Sequence, residues 1–258
     1  MRYAGKVNLA AIELGFEHAL PGKTLAEIDL VMEKYIREAG CTPAFKNYQP
    51  QGSPSPFPAT VCISPNEVVV HGIPNDYVLQ PADLLTIDVG TEHKGWYVDA
   101  ARSRLVPGKA PLDKITRGNK LIYATNEVLE AQLSVVKDQC TFLSMIQAAE
   151  AAARQHGVTI MPQWGGHGIG DKVHLEPFIP SALNRGQSKL RLKIEEKRYA
   201  RQKLIEGQTI CVEPVVTFGS SCIMVDEDGW TIRQADGHLT AHTERCLLVT
   251  KDGYELLS

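Results

Sequence analysis

Two segments of the chain carry the same helix signature, and their spacing constrains the fold more than any other feature. Each segment spans 17 residues from a Thr to a Gly, and they are Thr24–Gly40 and Thr141–Gly157, offset by 117 positions. A Thr at the start can cap a helix, and a Gly is a common residue just past its end. The repeat therefore predicts two similarly built halves.

Further patterns extend each half. Helical spacing of apolar residues predicts a helix from Val7 to Ala19, and the same spacing predicts a long helix from Ile115 to Val136. Short runs rich in β-branched residues predict strands at 60–64, 68–71, 84–90, 209–218 and 246–250. Two helices followed by strands, twice over, predict an α+β fold of one domain over residues 1–258, with facing, pseudo-symmetric halves at about 1–110 and 111–258.

Composition excludes several classes of protein. Hydrophobic residues make up 43% of the chain and charged residues 22%, which is typical of a globular domain. No run approaches the ~18 apolar residues of a membrane span, and the first residues lack the apolar core of a signal peptide. A net charge of −3 gives no general attraction to DNA, and six cysteines without a CxxC pair indicate reduced thiols. We expect a cytoplasmic, monomeric protein without membrane contact.

Two segments differ from their surroundings. The stretch 43–58 contains five prolines, which excludes a helix and favours an ordered loop or an extended lining. The stretch 184–203 is basic, with a net charge of +6 over 185–203. We interpret it as an inserted flap or helix, either a solvated surface element or a docking element for an anionic RNA surface.

Five ionisable residues lie in or beside strands that should be buried, and they are Asp88, Asp99, His167, Glu213 and Glu244. Carboxylates are rarely buried without a partner. If the four acids converge, they bring four negative charges, and two divalent cations would offset them. An oxygen-rich shell with one imidazole favours Mn²⁺, Fe²⁺ or Co²⁺. Taken singly, each acid could instead be an edge-strand or capping residue, and the two aspartates could form a hairpin pair that binds nothing.

The joint pattern resembles type-1 methionine aminopeptidases over nearly the whole chain. It comprises His71-Gly72-Ile73-Pro74, the two aspartates eleven residues apart, Gly166-His167-Gly168-Ile169-Gly170, Glu213-Pro214 and Glu244. The resemblance implies the pita-bread fold, an antiparallel β-structure covered by helices in two pseudo-symmetric halves around a dinuclear metal site.

The resemblance also implies roles for individual residues. Metal ligands would be Asp88, Asp99, His167, Glu213 and Glu244, holding two divalent ions such as Co²⁺, Mn²⁺ or Fe²⁺, with Zn²⁺ as a further candidate. Glu213 would also take the proton of the attacking water. His174 would stabilise the tetrahedral intermediate, and His71 would lie near the leaving amide. Both histidines would contact the substrate.

The methionine pocket would be lined by Phe57, Cys62 and Trp230, although plain core packing is the alternative for these residues. Four features depart from the family pattern. His242 replaces the usual Gln, Trp164 opens the Gly-His-Gly segment, Gly90 stands where a small hydroxyl residue is frequent, and the stretch from Pro177 to Gly207 is long.

The implied reaction is removal of an N-terminal methionine that precedes a small residue, by attack of a metal-bridging hydroxide on the first peptide bond. The substrate would be a peptide or nascent chain, and the ribosome is a candidate partner. The pattern lacks the zinc-binding extension of eukaryotic cytosolic enzymes, which favours a compact bacterial or organellar type. One alternative is a prolidase-like Xaa-Pro peptidase, which shares the five ligands but usually has an extra N-terminal domain. The other is a non-catalytic binding protein on the same fold.

Overall fold

The computed structural model describes residues 1–50, 52–53 and 55–258, and it contains helices and antiparallel strands in both halves of the chain. The helices are α1 (Arg2–His18), α2 (Leu25–Glu38), α3 (Leu112–Leu133), α4 (Phe142–His156) and α5 (Lys189–Tyr199). The strands are β1 (Thr42–Pro43), β2 (Cys62–Pro65), β3 (Val68–Val70), β4 (Leu84–His93), β5 (Trp96–Leu105), β6 (Thr159–Ile160), β7 (Gly165–Gly168), β8 (Leu175–Pro180), β9 (Thr209–Val212), β10 (Val215–Thr217), β11 (Ile223–Val225), β12 (Ile232–Gln234), β13 (Thr240–His242), β14 (Arg245–Val249) and β15 (Tyr254–Leu256).

The predicted caps of α2 and α4 are confirmed. The backbone N–H of Glu27 donates to Thr24 Oγ1 at 3.2 Å, and the Thr24 N–H donates back to the Glu27 carboxylate at 2.8 Å. At α4, the Ser144 N–H donates to Thr141 Oγ1 at 3.1 Å, and Gly157 ends the helix in the left-handed conformation. These contacts satisfy backbone donors that a helix start leaves free, so the two helices begin where their Thr residues dictate.

Each half packs two helices against an antiparallel sheet. In the first half, β4 pairs with β5 on one side and with β1 and β2 on the other. In the second half, the strand order of the largest sheet is β15-β14-β9-β7-β8. One apolar core joins α1 and α2 to the first sheet, and another joins α3 and α4 to the second. The confirmed fold class is therefore α+β.

The two sheets meet along β5 and the chain that leads into β14. The Glu244 N–H donates to the Ala101 carbonyl at 3.0 Å, and the Ser258 hydroxyl donates to the Asp99 carbonyl at 2.9 Å. A small apolar cluster that includes Val98, Cys211 and Cys246 fills the space between the halves. These contacts hold the acidic strand segments of the two halves against each other.

Several element ends differ from the sequence prediction by a few residues; α1, for example, begins at Arg2 and β4 extends to His93. The single strand predicted over 209–218 is wrong, because β9 and β10 are separate strands that flank Glu213-Pro214 and pair in different sheets. Proline has no N–H to donate, so the ladder breaks there. The long helix ends at Leu133, and Val136 lies in the turn that follows, with its N–H bonded to the Leu133 carbonyl.

The basic stretch 184–203, predicted to be an inserted flap or helix, contains helix α5 over Lys189–Tyr199. Ser188 caps α5 through the Arg191 N–H at 3.4 Å, and Tyr199 is the buried residue of this helix.

All six cysteines lie in the described part of the chain and are free thiols, five of them buried and Cys222 exposed. Among the described residues, no helix is both long enough and apolar enough to span a membrane.

Candidate metal centre and substrate pocket

The β4–β5 hairpin places two aspartates on the same face of the first sheet. Asp99 pairs with Gly90, which lies two residues from Asp88 on β4. Because side chains alternate along a strand, Asp88 and Asp99 become diagonal neighbours. Cys62 of β2 pairs with Asp88 from the other side and shares this face. The register of the hairpin therefore brings two of the predicted ligands together.

Strand β7 carries His167 into the same region from the second half. A Cβ atom on Gly166 would overlap the Cys211 carbonyl oxygen, so only glycine lets β7 approach β9 this closely. His167 Nδ1 lies 2.9 Å from the Gly168 carbonyl, which can only accept, so Nδ1 carries the proton. The Nε2 lone pair of the neutral ring is then free to bind a cation.

The remaining two acids come from the ends of β9 and β14. Glu213 follows β9 directly, and one of its oxygens lies 3.4 Å from His167 Nε2. Glu244 precedes β14 and is held against β5 by its backbone bond to Ala101. The break at Pro214 thus releases Glu213 from the ladder at the point where the two halves meet.

Four overlapping groups of donor atoms fill this region, and within each group all the atoms lie within 4.8 Å of one another. The groups are Asp88, Asp99 and Glu244; Glu213, His242 and Glu244; His167, Cys211 and Glu244; and Asp99, His167 and His174. All five predicted metal ligands are among these residues. The structure therefore brings together, in one cavity, the residues that the motifs predicted from distant parts of the sequence.

Burial makes this cluster hold its protons tightly. Removal from water raises the pKa of Asp88 to about 7, and burial also raises the pKa of Asp99, with the charges of Glu244 and Asp88 adding to the effect. Burial likewise raises the pKa values of Glu213 and Glu244. Four buried acids without a cation would share protons at neutral pH.

The donor set fits divalent metal ions. Asp88, Asp99 and Glu244 each have a buried carboxylate oxygen without a hydrogen-bond partner among the described residues. No Lys or Arg stands among the described residues that line the cavity, so no side-chain cation there offsets the acids. Oxygen donors joined by an imidazole suit first-row divalent ions such as Mn²⁺, Fe²⁺ and Co²⁺.

Two more predicted histidines line the cavity. The His174 ring lies 4.5 Å from the His167 ring, between centroids, and its Nδ1 lies 2.8 Å from the Tyr48 hydroxyl oxygen. His71 faces Trp230 edge-on, with ring centroids 6.0 Å apart. Burial lowers the pKa of His71 to about 4, and burial with nearby imidazoles lowers that of His174 to about 3. Both rings are therefore neutral at physiological pH.

An apolar wall adjoins the acidic cluster. Phe57 and Trp230 meet edge to face with ring centroids 5.2 Å apart, and Cys62 packs in the same cluster. All three line the cavity of about 560 Å³ that also holds the acids and histidines. Burial raises the pKa of the Cys62 thiol well above its usual value, so it offers the cavity a neutral sulfur. A slot of this kind accepts an unbranched apolar side chain.

Comparison with known proteins agrees with this arrangement. The model of metallopeptidase family M24 matches residues 1–251. The chain is 33% identical over its whole length to a methionine aminopeptidase of Mycoplasma capricolum, of which it covers 94%. It is 34% identical to methionine aminopeptidase 1 of Mycobacterium tuberculosis, again over its whole length and 91% of the relative. The chain belongs to metallopeptidase family M24, among the methionine aminopeptidases.

Solved structures of the family have the same fold. A crystal structure of methionine aminopeptidase from Thermotoga maritima matches with a TM-score of 0.85 at 29% identity, covering the whole chain and 94% of that protein. The prolidase of Pyrococcus horikoshii matches with a TM-score of 0.69 at 17% identity, covering the whole chain but 60% of that protein. The second match shows the fold alone, and together they confirm the predicted pita-bread architecture.

The structure locates three of the four departures from the methionine aminopeptidase pattern. At Gly90, a Cβ atom would lie 2.5 Å from the Phe45 ring, so this ring occupies the space of a hydroxyl side chain. His242 lies at the acidic cluster, with Nε2 at 3.6 Å from Glu213 Oε2. Trp164 lines the cavity, as its neighbour Gln163 does.

The sequence analysis missed several residues of the cavity. Tyr48 contacts His174, and Phe45 packs beside Phe57. Both precede positions 51 and 54 of the proline-rich stretch, which lie outside the described residues. The five prolines of this stretch exclude a helix and predicted an extended lining, which was the one sequence signal for these residues. They do not indicate which side chains point into the cavity.

Proposed function

We propose that this chain removes the N-terminal methionine from peptides and nascent proteins when the second residue is small. The observation that carries the proposal is the junction of the acidic cluster with the apolar wall of Phe57, Cys62 and Trp230 in one cavity. A methionine side chain in the slot would place the first peptide bond beside the acids. The whole chain, residues 1–258, then acts as a single catalytic domain.

In this proposal Asp88, Asp99, His167, Glu213 and Glu244 hold two divalent ions, which are Co²⁺, Mn²⁺ or Fe²⁺, with Zn²⁺ as the further candidate. When bound, such ions would polarise a carbonyl group and lower the pKa of a bound water to near neutral pH. The support is the set of unpartnered carboxylate oxygens together with the free Nε2 of His167. The residues around them position the substrate and move its protons.

Glu213 accepts the proton of the water that attacks the scissile carbonyl. Its carboxylate lies within the cluster, with one oxygen 3.4 Å from His167 Nε2 and the other 3.6 Å from His242 Nε2. A general base must lie within hydrogen-bond reach of the proton that it accepts, and a carboxylate at this position would be within reach of a water held by the ions. His167 keeps its own proton on Nδ1, and this N–H donates a hydrogen bond to the Gly168 carbonyl.

His174 and His71 act on the peptide bond itself. With the Tyr48 hydroxyl donating to His174 Nδ1, the neutral ring carries its proton on Nε2 and can donate it to the developing oxyanion. His71 lies beside Trp230 at the end of the apolar wall, and there it contacts the leaving amide. Both histidines thus bind the substrate as well as its transition state.

We further place the enzyme in the cytoplasm as a monomer, and the basic stretch 184–203 at the ribosome. The exposed helix α5 and the net charge of +6 over 185–203 support an electrostatic contact with RNA. Cosedimentation with ribosomes should then fall steeply as salt increases. Charge reversal at Arg191, Lys193 and Lys197 should abolish it, and the same weak binding at every salt concentration would favour a solvated helix instead.

Peptide hydrolysis with added Mn²⁺, Fe²⁺ or Co²⁺ tests the function. We expect cleavage of Met-Ala-Ser and Met-Gly peptides, slow cleavage of Met-Lys or Met-Leu, and none of Val-Ala-Ser, because a β-branched side chain does not fit an unbranched slot. Equal rates for Val and Met would contradict the pocket. A strict need for proline second would indicate a prolidase-like peptidase, and metal binding without any hydrolysis would indicate a binding protein.

A further inference from the structure

The acidic cluster has a second imidazole that the family pattern does not include. His242, on β13, is 2% exposed, and its Nε2 is buried without a hydrogen-bond partner among the described residues. This nitrogen lies 3.6 Å from Glu213 Oε2. It also belongs to a group of donor atoms with Glu213 and Glu244 that all lie within 4.8 Å of one another.

The backbone of His242 is fixed by the other half of the molecule. The Ser103 hydroxyl donates to the His242 carbonyl at 2.7 Å. The His242 N–H in turn donates to the Ser103 hydroxyl oxygen at 3.0 Å. Ser103 in turn contacts the Thr86 hydroxyl at 2.7 Å. The backbone of His242 is thus held by β5 at the edge of the cluster.

Glu213 lies between two imidazoles. His167 Nε2 faces one carboxylate oxygen at 3.4 Å, and His242 Nε2 faces the other at 3.6 Å. Two donors on one ion, each at about 2.0–2.2 Å, lie at most about 4.4 Å apart, and the 3.6 Å between His242 Nε2 and Glu213 Oε2 is within that limit. With His167 alone, one of two ions would have only oxygen donors from the protein.

We propose that His242 is a sixth ligand of the metal centre, so that each of the two ions has its own imidazole. This inference rests on the proposed dinuclear centre and deepens it. A nitrogen donor strengthens binding most for ions late in the Irving–Williams order. The second site should therefore prefer Co²⁺ or Zn²⁺ to Mn²⁺ more strongly than an all-oxygen site would.

Equilibrium binding of Co²⁺ to the metal-free full chain, followed by a chromophoric competitor, tests the proposal without using activity. We expect two bound ions in the wild type. In His242→Gln one of the two sites should lose about 100-fold or more in affinity, since changes to groups that merely support a ligand cost about 10–100-fold. The other site should be unchanged, and the loss should be smaller for Mn²⁺. His238→Gln removes an imidazole elsewhere and should bind as the wild type does.

X-ray absorption of the enzyme loaded with two Co²⁺ ions keeps the proposal testable if the variant folds poorly. Wild type should show one imidazole per ion on average, and one for every two ions would overturn the assignment. Unchanged binding at both sites in folded His242→Gln would overturn it as well, and would leave His242 as a hydrogen-bond partner of Glu213. Two ions with two imidazoles but no hydrolysis of methionyl peptides would instead contradict the proposed function alone, and a wild type that binds no metal would contradict both.

Discussion

At the scale of the residue, the chemistry depends on how a few side chains are denied their usual partners. Asp88, Asp99 and Glu244 each have a buried carboxylate oxygen that no described donor reaches. The single proton of the neutral His167 ring is on Nδ1, in a hydrogen bond to the Gly168 carbonyl. Unpaired acceptors and a free nitrogen in one place have a high free-energy cost without a cation. The same arrangement makes them strong ligands when a cation binds.

The first prediction concerns Glu213. Replacement by Gln keeps the shape of the side chain but removes a negative ligand and the proton acceptor, so kcat on Met-Ala-Ser should fall at least ~10²–10⁴-fold. The measurement is steady-state turnover at saturating metal, with circular dichroism to verify the fold. Glu227→Gln, at an exposed turn and not among the described residues that line the cavity, should retain wild-type turnover. A Glu213→Gln enzyme with most of its activity would remove Glu213 from the proposed mechanism.

The second prediction separates His174 from the metal ligands. Because Tyr48 contacts Nδ1 of His174 and the proposed mechanism uses Nε2 as the oxyanion donor, His174→Ala should lower kcat by about 10²–10³-fold, in the range of a lost oxyanion donor. Metal content, measured by elemental analysis after dialysis, should match the wild type. If metal and activity disappear together, His174 is a ligand, as its place in the group with Asp99 and His167 would allow.

At the scale of the element, strand pairing rather than any single residue determines where the donors point. The β4–β5 register sets the two aspartates side by side, and the close approach of β7 to β9 brings His167 to Glu213. This approach depends on glycine, since the Cβ of any other residue at 166 would overlap the carbonyl of Cys211.

Gly166→Ala should destabilise the protein by about 3 kcal/mol or more, the upper range for overpacking, because the overlapped atom belongs to the backbone of a paired strand. Urea unfolding should show a lower midpoint, and metal affinity should fall because His167 moves with β7. Gly253→Ala, where an added Cβ meets nothing within 4 Å, is the matched control. A Gly166→Ala protein that unfolds at the wild-type midpoint would show that β7 can shift without cost.

At the scale of the whole molecule, the centre exists only where the two halves meet. Asp88 and Asp99 come from the first half and His167, Glu213 and Glu244 from the second, and backbone bonds such as Glu244 N–H to Ala101 join them. Bringing four carboxylates together in this interior raises their pKa values. Metal binding and the stability of the assembled halves are therefore linked.

Removal of the metal should make stability depend on pH above about pH 6.5. There the unfolded chain has lost its carboxyl protons, and the protons that its histidines still bind, with an ordinary pKa of about 6.5, affect the metal-free and the metal-loaded protein alike. The folded, metal-free protein retains carboxyl protons, since the pKa of Asp88 is about 7 and those of Asp99, Glu213 and Glu244 are also raised. At these carboxyls the native state then binds more protons than the unfolded state, so their contribution to the free energy of unfolding falls with rising pH, by about 1.4 kcal/mol per pH unit for each proton retained.

Thermal unfolding of the chelator-treated protein between pH 6.5 and 8.5, beside the metal-loaded protein, measures this effect. The metal-free melting temperature should decrease relative to that of the loaded protein across the window. The loaded protein, whose carboxylates stay ionised, should change little from this source. Parallel curves for the two forms would mean that the cluster does not retain protons in the absence of metal.

The sequence alone determined the features that depend on neighbours a few residues apart or on a signature of residue types. The caps at Thr24 and Thr141 form through contacts three residues away, so the α2 and α4 starts were predicted correctly. The order of the ionisable motifs sufficed for the family and the fold, both confirmed by comparison. The roles of the individual site residues and the number of ions stay predictions.

Only the tertiary structure decided which side chains share the cavity. His242 and Glu213 are 29 positions apart in the sequence. Their 3.6 Å contact depends on the bonds of His242 to Ser103 of β5, and on the bond from Glu244, just before the β9 partner β14, to Ala101 of β5. Tyr48 reaches His174 across 126 positions, and the Phe45 ring fills the space beside Gly90. Contacts of this kind arise from the packing of whole sheets, where each residue's position depends on elements distant in the sequence, so no local pattern records them.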